Sequence, residues 1–401
     1  MSGSSRRREQ DSFDKIIDRK NTDSLKYDFA IRRGMPSDVI PMWVADMDFK
    51  TAPAILEAIH KRTEHGIFGY TEVGDGYFES LATWMKTHHD WEVERQWLVK
   101  TPGVVYALAM AVQAFSEPGG GVLIQPPVYY PFQEVIEDNH RKLVRNELVQ
   151  GADGTYHMDL QDFEDKIIRE KVSLFLLCNP HNPVGRVWRR EELLEIARIC
   201  VRHHVMVVSD EIHQDFIYEG HRHLVFADIC EEIKQQTIVC TSPSKTFNLA
   251  GLQVSNIFIP DREVRHQFRR QIDASGYSQL NTLGLTACEA AYRNGEAWLA
   301  EVLEYIKTNL DFLRQYLKEN IPEISLVEPE GTYLVWMDLR GTGLTEKEQE
   351  ELIVNRAGLW LDDGRIFGRE GSGFWRMNIA CPKAILEKAV KQLEKAVKTR
   401  K

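Results

Sequence analysis

Thr237-Ile-Val-Cys240-Thr-Ser242-Pro-Ser244-Lys245-Thr-Phe-Asn248 is a short apolar run that breaks into hydroxyls, a proline and one lysine, with Gly251 just beyond. Upstream the same pattern recurs. Val122 to Ile124 ends in Gln125-Pro126-Pro127, Val172 to Cys178 ends in Asn179-Pro180, and Val205 to Val208 ends in Ser209-Asp210. Amphipathic stretches separate the runs. In one of them, Arg189 to Val201, apolar residues recur at helical spacing behind acidic first-turn residues, as expected of a crossover helix. This alternation, from Thr101 to Val254, predicts an α/β fold with a mostly parallel sheet and helices on both faces. Ligands of open α/β sheets bind beyond the carboxyl ends of the strands, so the polar segments that close the runs are expected to converge.

The pattern changes after about residue 285. A long helical segment, Glu296 to Asn320, stops at Ile321-Pro322, and a strand-like Gly331 to Asp338 follows. The expected division is an N-terminal segment 1–49 joining a small domain, a large domain 50–290, and a small α+β domain 291–401. Residues 11–49 are rich in turns and resist placement by pattern.

With 401 residues and 43% hydrophobic content, the chain can bury a large core. A formal charge of -10 argues against nucleic acid or an anionic membrane as the main partner and favours a small molecule. Cys178, Cys200, Cys230, Cys240, Cys288 and Cys381 are scattered, without a CxxC pair, so reduced core thiols are expected and no metal site is. The basic cluster Arg6-Arg7-Arg8 has no apolar stretch after it, unlike a secretory signal, and the first ten residues are expected to be disordered. No apolar run is long enough to cross a bilayer, and the expected location is the cytoplasm.

A free lysine has a pKa of about 10.4, so Lys245 needs burial or a nearby cation before it can attack a carbonyl at neutral pH. Asp210 closes an apolar strand, where an unpaired carboxylate is costly, and should face a cation; a helix N-cap is its alternative role. Asn182, in Asn179-Pro-His-Asn182-Pro-Val-Gly185, sits in a segment that any turn could use. Gly103-Val104-Val105 opens the helical run Tyr106 to Phe115, whose N-terminus can receive an anion.

In order and spacing, Asn182-Pro-Val-Gly185, Ser209-Asp210-Glu211-Ile212-His213 and Ser242-Pro-Ser-Lys245 resemble the fold-type I pyridoxal-phosphate enzymes. Asp-Glu-Ile-His213 stands where many aminotransferases place a tyrosine three residues after the aspartate. That tetrapeptide is similar to the MalY/PatB group of carbon–sulfur β-lyases, which includes cystalysin and cystathionine β-lyases. Trp43-Val-Ala45-Asp46-Met-Asp48-Phe49, Gly66-Ile-Phe-Gly-Tyr70, Pro127-Val-Tyr129-Tyr130-Pro131-Phe132 and Pro180 to Trp188 point the same way. Gln253 replaces a phosphate-binding arginine of many aminotransferases, and the subgroup commonly lacks that arginine too.

The resemblance implies an aspartate-aminotransferase-like fold and pyridoxal 5′-phosphate as cofactor. Lys245 would bind the cofactor covalently and move protons, Asp210 would pair with the pyridine nitrogen, and Asn182 would bond the ring 3′ oxygen. Tyr129 would stack on the ring, His213 would help to bind the cofactor, and Tyr130 would assist with substrate or proton handling. The phosphate would rest on Gly103, Val104, Val105, Ser242 and Ser244, with Tyr70 reaching it from a neighbouring subunit of a homodimer. Arg376, with Asn182 and Ala45, would take the substrate. The implied reaction is α,β-elimination from a sulfur-containing L-amino acid, giving thiol, pyruvate and ammonia. An aminotransferase using the same residues is the alternative, and a regulatory protein-interaction role, as in some members of the group, is another.

Overall fold

The computed structural model describes residues 13–400. The first ten residues, expected to be disordered and carrying the Arg6 to Arg8 cluster, lie outside that range. The chain divides into two compact units, one of Thr51–Leu299 with Glu330–Thr332, the other of residues up to Lys50 with Ala300–Pro329 and Tyr333–Lys401.

The larger unit is built on seven strands: β1 (Leu98–Thr101), β2 (Gly121–Ile124), β3 (Lys142–Arg145), β4 (Val172–Cys178), β5 (Met206–Asp210), β6 (Thr237–Thr241) and β7 (Ser255–Phe258). Their order is β1-β7-β6-β5-β4-β2-β3. β3, β2, β4, β5 and β6 are parallel, and β7 runs antiparallel to both of its neighbours. The helices that matter for the site are α1 (Asp75–His89), α2 (Val104–Phe115), α3 (Leu160–Glu170), α4 (Arg190–Arg202) and the four-residue α5 (Pro243–Thr246).

The central strands are buried on both faces, which explains why they read as continuous apolar runs rather than alternating ones. Leu174 and Leu176 of β4 join Val208, Ile238 and Cys240 in a core with Ala107, Leu108 and Ala111 of α2. Phe175 points the other way, and its ring meets Phe163 of α3 edge-on at 5.0 Å. The crossover helix expected from Arg189 to Val201 is α4, whose first turn is closed by Glu192 reaching back to the Arg189 N–H at 2.8 Å.

The smaller unit holds a four-stranded antiparallel sheet, with β8 (Ser325–Val327), β9 (Leu334–Asp338), β10 (Asp362–Asp363) and β11 (Phe374–Asn378) in the order β8-β9-β11-β10. Residues 42–48 are tied to it: Asn378 Nδ2 donates to the carbonyls of Val44 (2.7 Å) and Asp46 (2.6 Å). Lys26, 1% exposed, pairs with Asp48 at 2.9 Å, and Arg19 bridges Asp46 and Asp48 at 2.7 Å each. Among the described residues no helix is long and apolar enough to cross a membrane.

Candidate active site

Parallel pairing brings the polar ends of the three central strands side by side. Asp210 lies in register with Cys178 on one side and Cys240 on the other, and the Asn179 N–H donates to the Asp210 carbonyl at 3.0 Å. Just beyond, the Tyr129 N–H donates to the Asn182 carbonyl at 3.0 Å, which joins the turn after β2 to the turn after β4. The Pro126–Pro127, Asn179–Pro180 and Asn182–Pro183 peptides in these turns are cis. His181, fully buried, places Nε2 at 2.9 Å from the Pro127 carbonyl. Burial drives the His181 imidazole down to about 4, so it is neutral at pH 7 and serves as a brace between the two turns.

Asp210 is 4% exposed and accepts from the Ile212 N–H at 3.2 Å. Burial pushes its carboxyl up to about 7, and this rise is opposed by the Ile212 N–H and by Lys245, which is close enough to pull it down. A buried acid in that state calls for a stronger cation to hold it ionised. Its neighbour Glu211 is fully buried and satisfied: Ser209 Oγ and the Phe226 N–H donate to Oε1 at 2.8 and 2.9 Å, and His223 Nε2 lies 2.8 Å from Oε2. The turn that carries Asp210 and the buried His213 is therefore rigid.

Lys245 rides on α5. Ser242 caps this turn: its Oγ accepts from the Ser244 N–H at 3.1 Å, lies 2.8 Å from Ser244 Oγ, and is 2.7 Å from the Val254 carbonyl. The Ser242 hydroxyl thus shapes the lysine's turn. Gly103 is the N-cap of the twelve-residue α2, no side chain caps its first amides, and a Cβ at Gly103 would meet nothing within 4 Å. Tyr129 and Tyr130 hold their rings 5.4 Å apart, and Tyr129 meets Phe132 edge-on at 6.2 Å. Tyr70 is 98% exposed and lines a cavity of about 680 Å³ with Phe68, Gln253 and Asn281.

Ala45 and Arg376 belong to the smaller unit. Arg376, 3% exposed, donates to the Trp43 carbonyl at 3.0 Å, pairs with the buried Asp362, and lies 4.7 Å from the Phe367 ring centroid. The Ala45 carbonyl accepts from Tyr333 Oη at 3.0 Å. Arg376 and the 43–46 tract are thereby brought together, a pairing that residues some 330 positions apart give no sign of in the sequence.

A buried carboxylate in want of a cation, a lysine interacting with it, and an open helix N-terminus fit a phosphorylated, cationic aromatic aldehyde. Residues 37–393 match the family model for aminotransferase class I and II. The chain belongs to this family.

Within it the chain is 42% identical to the cystathionine beta-lyase PatB of Bacillus subtilis, over 96% of the chain and all of that protein. It is 33% identical to the protein MalY of Escherichia coli, over 96% and 98% of the two chains. Cystalysin from Treponema denticola, solved with pyridoxal 5′-phosphate, superposes with a TM-score of 0.94 at 38% identity, over 97% of this chain and 99% of that one. A pyridoxal-phosphate-bound C-S lyase from Staphylococcus hominis gives 0.89 at 32%, over 96% and 98%. This member of the aminotransferase family is accordingly a pyridoxal-phosphate-dependent enzyme with the aspartate-aminotransferase-like fold.

Proposed function

We propose that the enzyme cleaves the Cβ–S bond of sulfur-containing L-amino acids such as cystathionine, releasing a thiol, pyruvate and ammonia. The observation that carries this reading is the Asp210-Glu-Ile-His213 turn set beside Lys245 in a chain aligned end to end with carbon–sulfur lyases. Pyridoxal phosphate, when bound, supplies the electron sink for the Cα carbanion. The chain's own residues do the rest. Lys245 would hold the cofactor and, once freed, would take the Cα proton through Nζ. Asp210 would pair with the pyridine nitrogen and favour its protonated form; a charge pair at about 4 Å in an effective dielectric near 20 is worth roughly 4 kcal/mol. Asn182 would bond the ring oxygen, Tyr129 would stack on the ring, and Tyr130 or Lys245 would protonate the departing sulfur.

Arg376 takes the α-carboxylate through its planar fork, with Ala45 beside it. Arg376→Lys keeps a cation for the buried Asp362 but loses the fork, so KM should rise by about ten- to hundredfold with little change in kcat. An unchanged KM would remove Arg376 from substrate binding. The exposed Ile67, Phe68 and Tyr70 form the face on which we place a second copy of the chain, with Tyr70 reaching the partner's phosphate. Six free cysteines, five of them buried, suit a reducing compartment, and we assign the enzyme to the cytoplasm.

The reading is tested by mixing the cofactor-loaded protein with L-cystathionine and water alone. Homocysteine, pyruvate and ammonia are expected in equal amounts over many enzyme equivalents. Absence of pyruvate, with cystathionine and other sulfur amino acids alike, would overturn it.

A further inference from the structure

Asp215 lies five residues beyond Asp210 and is buried, with three donors gathered on its carboxylate. Trp84 Nε1 donates to Oδ1 at 3.0 Å, His89 Nε2 lies 2.9 Å from the same oxygen, and Thr246 Oγ1 donates to Oδ2 at 2.6 Å. Burial would raise this carboxyl, but His89, Thr246 and Trp84 outweigh it and hold the group below the ordinary range, so it is ionised at neutral pH. Thr246, itself fully buried, is the residue next to Lys245. On the far side of the lysine's turn the ring of Phe247 meets Trp84 edge-on at 5.5 Å, and the Phe247 carbonyl accepts from Thr51 Oγ1 at 2.8 Å. Trp84 therefore holds Asp215 with its N–H and packs its ring against Phe247. Lys245 itself needs freedom at Nζ, because it must leave the cofactor and return as a base, so its placement has to come from the backbone around it.

We propose that Asp215 is a positioning residue for Lys245, acting through the Thr246 hydroxyl and held in place by Trp84 and His89. Two residues of α1 thus fix the backbone of a four-residue helix that is too short to be stable alone. The inference rests on the reading of Lys245 as the cofactor's anchor. A small displacement of that backbone moves Nζ against Cα, and misplacements of about 1 Å can cost on the order of a hundredfold in rate.

The test uses the cofactor-loaded holoenzyme. Thr246→Val keeps the shape but removes the donor, and Thr246→Ser restores it. In Thr246→Val the pH midpoint of the bound cofactor's visible absorbance should move by about half a unit or more, because the lysine nitrogen sits differently. The kcat for elimination should fall about tenfold with KM within about twofold, since the contact acts on the proton transfer and not on substrate binding. Thr246→Ser should return both readings to those of the unmodified enzyme. Asp215→Asn, which keeps the size of the side chain, should move the absorbance midpoint as well. A Thr246→Val enzyme with the original midpoint and kcat, or a Thr246→Ser enzyme no better than Thr246→Val, would overturn the proposal. The absorbance reading needs no substrate, so it decides this point even if the unmodified enzyme releases no pyruvate and the proposed reaction itself fails.

Discussion

Lys245→Ala is expected to lose turnover by about 10⁴-fold or more and to lose the visible absorbance that marks a covalently held cofactor. Both losses have one cause. The lysine stands at the end of β6, on a turn held by the Ser242 cap on one side and by the Thr246–Asp215 contact on the other, and it interacts with Asp210 across the strand ends. No other lysine lies in the strand-end segments 125–130, 179–185, 209–215 and 241–246 from which the site is built. Alanine removes the proposed anchor and base together. The fold should survive, because Lys245 is only half-buried and is not part of the core that Thr246 and Phe247 join. Rapid kinetics and an absorbance spectrum on the same sample check the prediction. Retained multiple turnover would remove Lys245 from the centre of the chemistry.

Asp210→Asn should behave in two opposite ways. In the loaded enzyme it removes the anion we place opposite the pyridine nitrogen, and a loss of roughly 4 kcal/mol of charge stabilisation corresponds to about a thousandfold in rate. In the cofactor-free protein the same change should stabilise. Burial lifts the folded-state carboxyl to about 7, whereas an unfolded aspartate stays near its ordinary value of 3.8. A group raised in the folded state contributes stability that is complete below the unfolded pKa and is lost as pH rises toward the folded one. Cofactor-free protein should therefore weaken as pH rises from about 4 to about 7, by up to roughly 4 kcal/mol, and Asp210→Asn should flatten that dependence. Thermal unfolding of both proteins at several pH values reads the effect. A cofactor-free Asp210→Asn protein no more stable at pH 8 than its parent would contradict the account.

The readable parts of the sequence were those in which one local feature carried one physical meaning. β4, β5 and β6 showed as apolar runs because both of their faces are covered, and each run broke at a polar segment at its carboxyl end. The helix Glu296–Asn320 was legible from length and periodicity. β1 and β7 were not, since Leu98-Val-Lys-Thr101 and Ser255-Asn-Ile-Phe258 are short and mix polar with apolar residues, and nothing local marks β7 as antiparallel. The supports of the site were hidden for a different reason. Trp84 and His89 meet Asp215 across 131 and 126 residues, and Asn378 holds Val44 across 334, so tertiary contact alone defines their roles. The role of Ser242 as a cap had a local sign, a Ser-Pro pair opening a turn.

Elimination and transamination share the Cα carbanion and differ in where the enzyme stands afterwards. The most direct test follows the cofactor's absorbance in the loaded enzyme with excess L-cystathionine and no keto acid. The account predicts that the lysine-bound form persists through the steady state while thiol and pyruvate accumulate. A single conversion to the pyridoxamine form, which stalls until a keto acid is added, would contradict it and make the enzyme an aminotransferase.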